Sequence, residues 1–207
     1  MKKMNILAIG AHPDDIEFGC GGALVKYADG GHNLSLMIMT AGGQGGKPDV
    51  RATEQEKSQM IMGVKTIYWG GYEDTYIREG KEVITKIENV IESVRPNFIF
   101  CHHPDDTHQD HRHLANSVVS ATRYIRNVLF YEGPTTQNFN PQIYVDISKT
   151  LDRKIEALKA HRSQVGKTNI KDLTIIELAR STANFRGTQG RVKYAEAFNS
   201  LRLFINI

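Results

Sequence analysis

Short, nearly continuous apolar runs alternate along this 207-residue chain with longer stretches of helical periodicity, and that alternation constrains the fold more than any other feature. Asn5–Ala11 is continuously apolar after its first residue, the pattern of a strand buried on both faces. Residues 15–28 read as a helix that Gly30-Gly31 ends, and 34–39 as a second strand. Residues 51–62 form a helix stopped at Gly63, and 66–69 a third strand. Val83, Ile84, Ile87, Val90, Ile91 and Val94 recur at helical spacing within 79–94, before Pro96. Residues 97–101 form a fourth strand, 109–124 a helix, and 128–131 and 143–145 two further strands. A helix over 151–161 is expected to be capped by Ser148. Residues 162–169 read as a loop, 171–183 as a helix, and 194–198 as a last helical turn. Strands alternating with helices imply βαβ units: an α/β, Rossmann-like, mostly parallel sheet with helices on both faces, in one domain over 1–207.

In such folds ligands bind outside the carboxyl ends of the strands. Three polar segments fall there: His12-Pro13-Asp14-Asp15 after strand one, the glycine-rich 40–48 after strand two, and 102–113 after strand four. Five of the eight histidines lie in the last, with Asp105, Asp106 and Asp110 among them. His108 and His111 are three apart and share a helix face. Asp14 and Asp15 are adjacent carboxylates, costly to crowd without positive charge beside them. An ordinary helix N-cap would use one of them but would leave His12 unexplained.

Imidazole and carboxylate donors suit zinc, which in catalytic sites keeps three protein ligands and a water. The expected ligands are His12, Asp15 and His111; iron(II) accepts the same set. Asp14 is then free as the base, His108 serves the oxyanion and the leaving amine, and Asp110 orients His108. This is a constellation for hydrolysing an amide or ester. Cys20 and Cys101 read as packing residues, and His102, His103 and His113 receive no role, His113 being expected on a helix surface. Neither glycine-rich segment is a dinucleotide fingerprint or a phosphate loop: Gly19–Gly22 lacks the spacing and Lys47 precedes Pro48. Residues 42–46 suit close backbone approach to a polar ligand.

Ala11-His12-Pro13-Asp14-Asp15 with Glu17 and Gly19–Gly22, the 40–46 loop with Arg51 and Glu54, His108-Gln109-Asp110-His111, His161-Arg162-Ser163-Gln164 and Tyr194–Phe198 resemble, in order, the blocks of the PIG-L (LmbE-like) zinc deacetylases. The resemblance implies removal of the acetyl group from an N-acetylglucosaminyl conjugate, with the same metal, base and acid positions and with Arg51 contacting substrate. Members often carry an acidic residue where this chain has Gly43. The expected partner is a small N-acetylated amino-sugar conjugate, and relatives commonly associate, so a homo-oligomer is possible. A non-catalytic, zinc-retaining sugar-binding or scaffold protein is the alternative, although binding alone needs neither Asp14 nor His108. A nucleotide-binding domain is a third reading, resting on the glycine loops alone.

Composition narrows the remaining classes. Lys+Arg 26 against Asp+Glu 23 gives +3 with scattered basic residues, which argues against a nucleic-acid partner. No window is apolar for long enough to span a membrane, and Asn5 and the His-Pro-Asp-Asp turn interrupt any secretory signal. Two cysteines fit a reducing compartment, so the cytoplasm is the expected location.

Overall fold

The computed structural model describes residues 3–205. The elements run β1 (Asn5–Gly10), α1 (Asp15–Asp29), β2 (Asn33–Thr40), α2 (Pro48–Met62), β3 (Thr66–Tyr72), α3 (Lys81–Val94), β4 (Phe98–His102), α4 (Gln109–Ala121), β5 (Val128–Tyr131), β6 (Ile143–Asp146), α5 (Leu151–Ala160), α6 (Ile175–Gly190) and β7 (Ala195–Arg202). One mixed sheet has the order β3-β2-β1-β4-β5-β7-β6. The first five of these strands are parallel, and β7 runs antiparallel to both β5 and β6.

The buried alternation of β1 explains its position at the centre. Ile6 and Ala8 point into a core shared with α1, α2 and α5, and Leu7 and Ile9 into one shared with α3 and α4. Ile6 pairs with Leu34 on one side and Phe98 on the other. The chain winds outward from β1 to β2 and β3, then returns to place β4 on the opposite side. The switch point between β1 and β4 therefore opens a crevice at their carboxyl ends, where such folds bind ligands.

Helix α1 carries glycines inside it for a packing reason. A Cβ on Gly19 would lie 2.1 Å from Cδ2 of Tyr131, whose hydroxyl donates to the Ile9 carbonyl at 2.9 Å. Farther along α1, side chains from α5 and β7 enter the main-chain ladder. Lys154 Nζ donates to the Phe18 carbonyl (2.5 Å), while Glu196 accepts from the Gly22 and Ala23 amides at 2.8 and 2.7 Å. Lys154 and Glu196 pair with each other at 2.6 Å, both buried.

Three expectations need correction. Tyr194–Phe198 is not a helical turn: Ala195 opens strand β7, wedged between β5 and β6. Ala and Glu favour helix in isolation, but pairing on both edges and burial on both faces override that preference. The last helix begins at Ile175, not Lys171, because Thr174 and Glu177 form a reciprocal capping box there, and it runs on to Gly190. Ser148 does not cap α5; Thr150 holds the N-cap position and Ser148 Oγ accepts from the Tyr194 amide at 3.3 Å. No helix among the described residues is long and apolar enough to cross a membrane.

Candidate metal centre and active site

The crevice is built by four turns that follow β1, β2, β3 and β4. His12 leaves β1 and Asp15 opens α1; His111 stands on the first turn of α4. The structure brings one donor atom of each within 4.8 Å of the others. Asp15 lies between the rings, 3.3 Å from His12 Nδ1 and 3.5 Å from His111 Nε2, and its Oδ2 also accepts from the His12 amide at 2.7 Å.

Each imidazole is backed on its far nitrogen by another carboxylate. His12 Nε2 lies 2.9 Å from Asp74 and 3.2 Å from Asp110. His111 Nδ1 lies 3.3 Å from Asp106. Asp106 is fixed in turn by the hydroxyls of Thr135 (2.7 Å) and Thr136 (2.9 Å) and by the His108 amide (2.8 Å). Asp74 accepts from the Gln44 amide at 2.8 Å. A carboxylate behind a ligating histidine sets its tautomer and aims the other nitrogen at the metal.

The electrostatics point the same way. Burial alone would depress the His12 pKa, but Asp110, Asp15 and Asp74 outweigh it and raise it well above the usual range. His111 is likewise raised to about 9: burial opposes, and Asp15 and Asp106 prevail. Asp15 is held well below the carboxylate range, against its burial, by His111 and His102. The carboxylates thus draw positive charge onto both rings, and a divalent cation would supply that charge in place of the protons. The Nε2 of buried His111 has no hydrogen-bond partner, and the donors are two imidazoles and a carboxylate. These residues fit a divalent metal ion.

Asp14 stands apart. It occupies the N-cap position of α1 at φ 91°, left-handed for a non-glycine residue, and its side chain makes no capping bond. Such a conformation costs on the order of 1–3 kcal/mol and persists only where the surroundings over-determine it. The carboxylate is half-buried, 3.5 Å from Arg51 Nη2. Its burial, countered by Arg51, raises its pKa to about 6.

His108 caps α4. Its Nδ1 accepts from the Asp110 amide at 3.2 Å, so a neutral ring carries its proton on Nε2. Burial and the neighbouring His111 and His12 lower its pKa, which keeps it neutral. The Asp110 main-chain amide thus binds His108, and a carboxylate oxygen of Asp110 lies within 4.8 Å of a His108 ring nitrogen. The carboxylate also accepts from the Thr75 (2.8 Å) and Ile77 (3.3 Å) amides and meets His12. Arg51 is the cation of the crevice. It is buried, and donates to the Pro13 carbonyl at 2.7 Å and the Gly42 carbonyl at 2.9 Å.

Several groups had no role on sequence grounds. His102 stacks on His111 with centroids 3.9 Å apart, and its Nε2 lies 3.1 Å from the Ala11 amide and 3.2 Å from Asp15 Oδ2. His113, expected on a surface, is half-buried and 2.7 Å from the Ile77 carbonyl. His103 faces away, toward Asn199 and Phe139. Asp74 escaped notice although it follows β3 at the same rim, where the strand-end rule would have found it. Cys20 and Cys101 are buried and unpaired.

A mostly parallel sheet with a three-donor centre at its switch point, beside an unligated carboxylate and a neutral imidazole, suits metal-assisted hydrolysis of an amide or ester. The profile of the PIG-L family, described as GlcNAc-PI de-N-acetylase, matches residues 7–122, and the chain belongs to that family. An uncharacterised deacetylase of Escherichia coli K12, YaiS, is 32% identical over 171 residues, 78% of this chain and 92% of its own length. The crystal structure of the conserved protein TT1542 from Thermus thermophilus superposes with a TM-score of 0.88 at 26% identity, covering 99% of this chain and 97% of that one. N,N'-diacetylchitobiose deacetylase from Pyrococcus horikoshii gives 0.81 at 27% identity, covering 95% and 83%.

Proposed function

We propose that this single-domain chain is a zinc-dependent N-deacetylase that removes the acetyl group from an N-acetylglucosaminyl conjugate and releases acetate and a free amine. The observation that carries the reading is Asp14: a carboxylate that caps nothing, held in a strained backbone beside His12, Asp15 and His111, has no use in a merely structural centre. Likeness to a diacetylchitobiose deacetylase supports the sugar amide as substrate. Its two buried, unpaired thiols suit the cytoplasm.

His12, Asp15 and His111 would hold the metal, zinc or alternatively iron(II), which when bound would supply Lewis acidity and a water of lowered pKa. Asp14 removes a proton from the attacking water as its oxygen bonds to the acetyl carbon. His108, protonated on Nε2, donates to the carbonyl oxygen as negative charge develops there. Collapse breaks the C–N bond as His108 gives its Nε2 proton to the departing amine, and the proton taken by Asp14 restores His108. Asp74, Asp106 and Asp110 hold the two ligating rings in place.

Acetate release from a panel of N-acetylglucosamine conjugates, diacetylchitobiose included, tests this. Release should match amine formation, stop with a chelator and return with zinc. Failure of zinc- and iron-loaded protein to deacetylate any of them refutes the reading. Asp106→Ala should weaken metal binding about 10–100-fold by freeing one ring from its backing carboxylate; competition against a chromophoric chelator measures it, and unchanged affinity removes Asp106 from that role.

A further inference from the structure

We propose that Arg51 is a positioning residue for Asp14 rather than a substrate ligand, and that the glycine loop after β2 exists to seat its guanidinium. This deepens the deacetylase reading, and only its kinetic test rests on that reading.

The bond from Nη2 to Pro13 is the central observation. The Pro13 carbonyl belongs to the peptide that joins Pro13 to Asp14. Gripping that oxygen fixes the peptide plane from which the φ of Asp14 is measured. The other side of Asp14 is held as well, because its own carbonyl accepts from the Phe18 amide at 3.0 Å. Asp14 is thereby clamped in the left-handed region from both sides. The same Nη2 lies 3.5 Å from Asp14 Oδ1, so a single group sets the backbone and faces the carboxylate.

The opposite edge of the guanidinium shows what the glycines are for. Nη1 donates to the Gly42 carbonyl, and Gly42 has φ 67°. A Cβ there would lie 2.0 Å from Nη1, and one on Gly45 would lie 2.7 Å from it. The close backbone approach expected of this loop is real, but the polar group approached is Arg51 itself. Arg51 is only 4% exposed, and its Nε is buried without a partner. A planar fork bridges the turns after β1 and β2; the single ammonium of lysine does not reproduce that geometry.

Steady-state kinetics of wild type, Arg51→Ala, Arg51→Lys, Gly42→Ala, Asp14→Asn and Asp14→Asn/Arg51→Ala provide the test. Arg51→Ala should lower kcat about 100-fold, the scale of an ångström misplacement of a catalytic group, with KM within about twofold. Gly42→Ala, which keeps the arginine but removes its seat, should do the same, and Arg51→Lys should not restore turnover. In the Asp14→Asn background the loss of Arg51 should add nothing, since coupled residues are non-additive. A large rise in KM with kcat retained, or losses that multiply in the double variant, overturns the proposal in favour of substrate contact. Crystal structures of Arg51→Lys and Gly42→Ala give a readout independent of turnover. Asp14 should leave the left-handed region in both; an Asp14 φ still near the native value overturns the proposal even if the protein deacetylates nothing.

Discussion

Asp14→Asn should lower kcat about 10²–10⁴-fold, the usual range for a positioned general base, while the bound metal stays stoichiometric. Asparagine is the demanding substitution. It matches aspartate in shape and enters the left-handed region readily, so the turn at φ 91° survives. What is lost is the capacity to take a proton, together with the negative charge that faces Arg51. Asp14 makes no capping bond that the change would disturb. The same residue sets the acidic limb of the wild-type pH profile. Burial raises its pKa to about 6, and the base works only when ionised, so kcat should fall as pH drops through about 6. Acetate release and elemental analysis on the same preparations decide the matter. Turnover near wild type removes Asp14 as base, and loss of metal would make it a ligand instead.

The parts of the centre that are local in sequence were the parts that could be read there. Pro13 and the adjacent carboxylates mark a turn, and the His-x-x-His spacing from 108 to 111 puts two rings on one face, so the convergence of His12, Asp15 and His111 is legible in the sequence. The supporting roles of Asp74 and Asp106 are not. Asp106 is held by Thr135 and Thr136, which arrive from the turn after β5, and Asp74 reaches His12 from a turn after β3. Arg51 misleads for a related reason: an arginine in the first turn of a helix is ordinarily solvated, and only folding reveals that two loops close over it. The sheet's parallel half was legible because each strand is an apolar run between helices. Strand β7 was not, since Ala195-Glu196-Ala197 has helix-forming composition and its strand character comes from neighbours far off in sequence. Glu196 is the extreme case, an acid whose partners Gly22, Ala23 and Lys154 are scattered over the chain.

That pair carries the largest expected effect on stability. Lys154→Met should destabilise the fold by about 3–5 kcal/mol, because removing one partner leaves a buried charge uncompensated. For a chain of this size the melting temperature would fall roughly 6–20 °C. The packing of the stem is largely kept by methionine, so the loss isolates the ammonium, which serves both Glu196 and the Phe18 carbonyl. Lys154→Met/Glu196→Gln should recover part of the loss: the glutamine oxygen still accepts from one α1 amide, and no naked carboxylate remains. Lysine and glutamate grip α1 only at Phe18–Ala23, beyond Asp15 at its start, so kcat of the folded Lys154→Met enzyme should stay close to wild type at low temperature while its thermal midpoint collapses. Calorimetry alongside kinetics separates the two roles. A melting temperature within a degree or two of wild type would show that the ammonium is dispensable, and a kcat loss without a stability loss would place the pair in the reaction rather than in the frame that holds Asp15 in place.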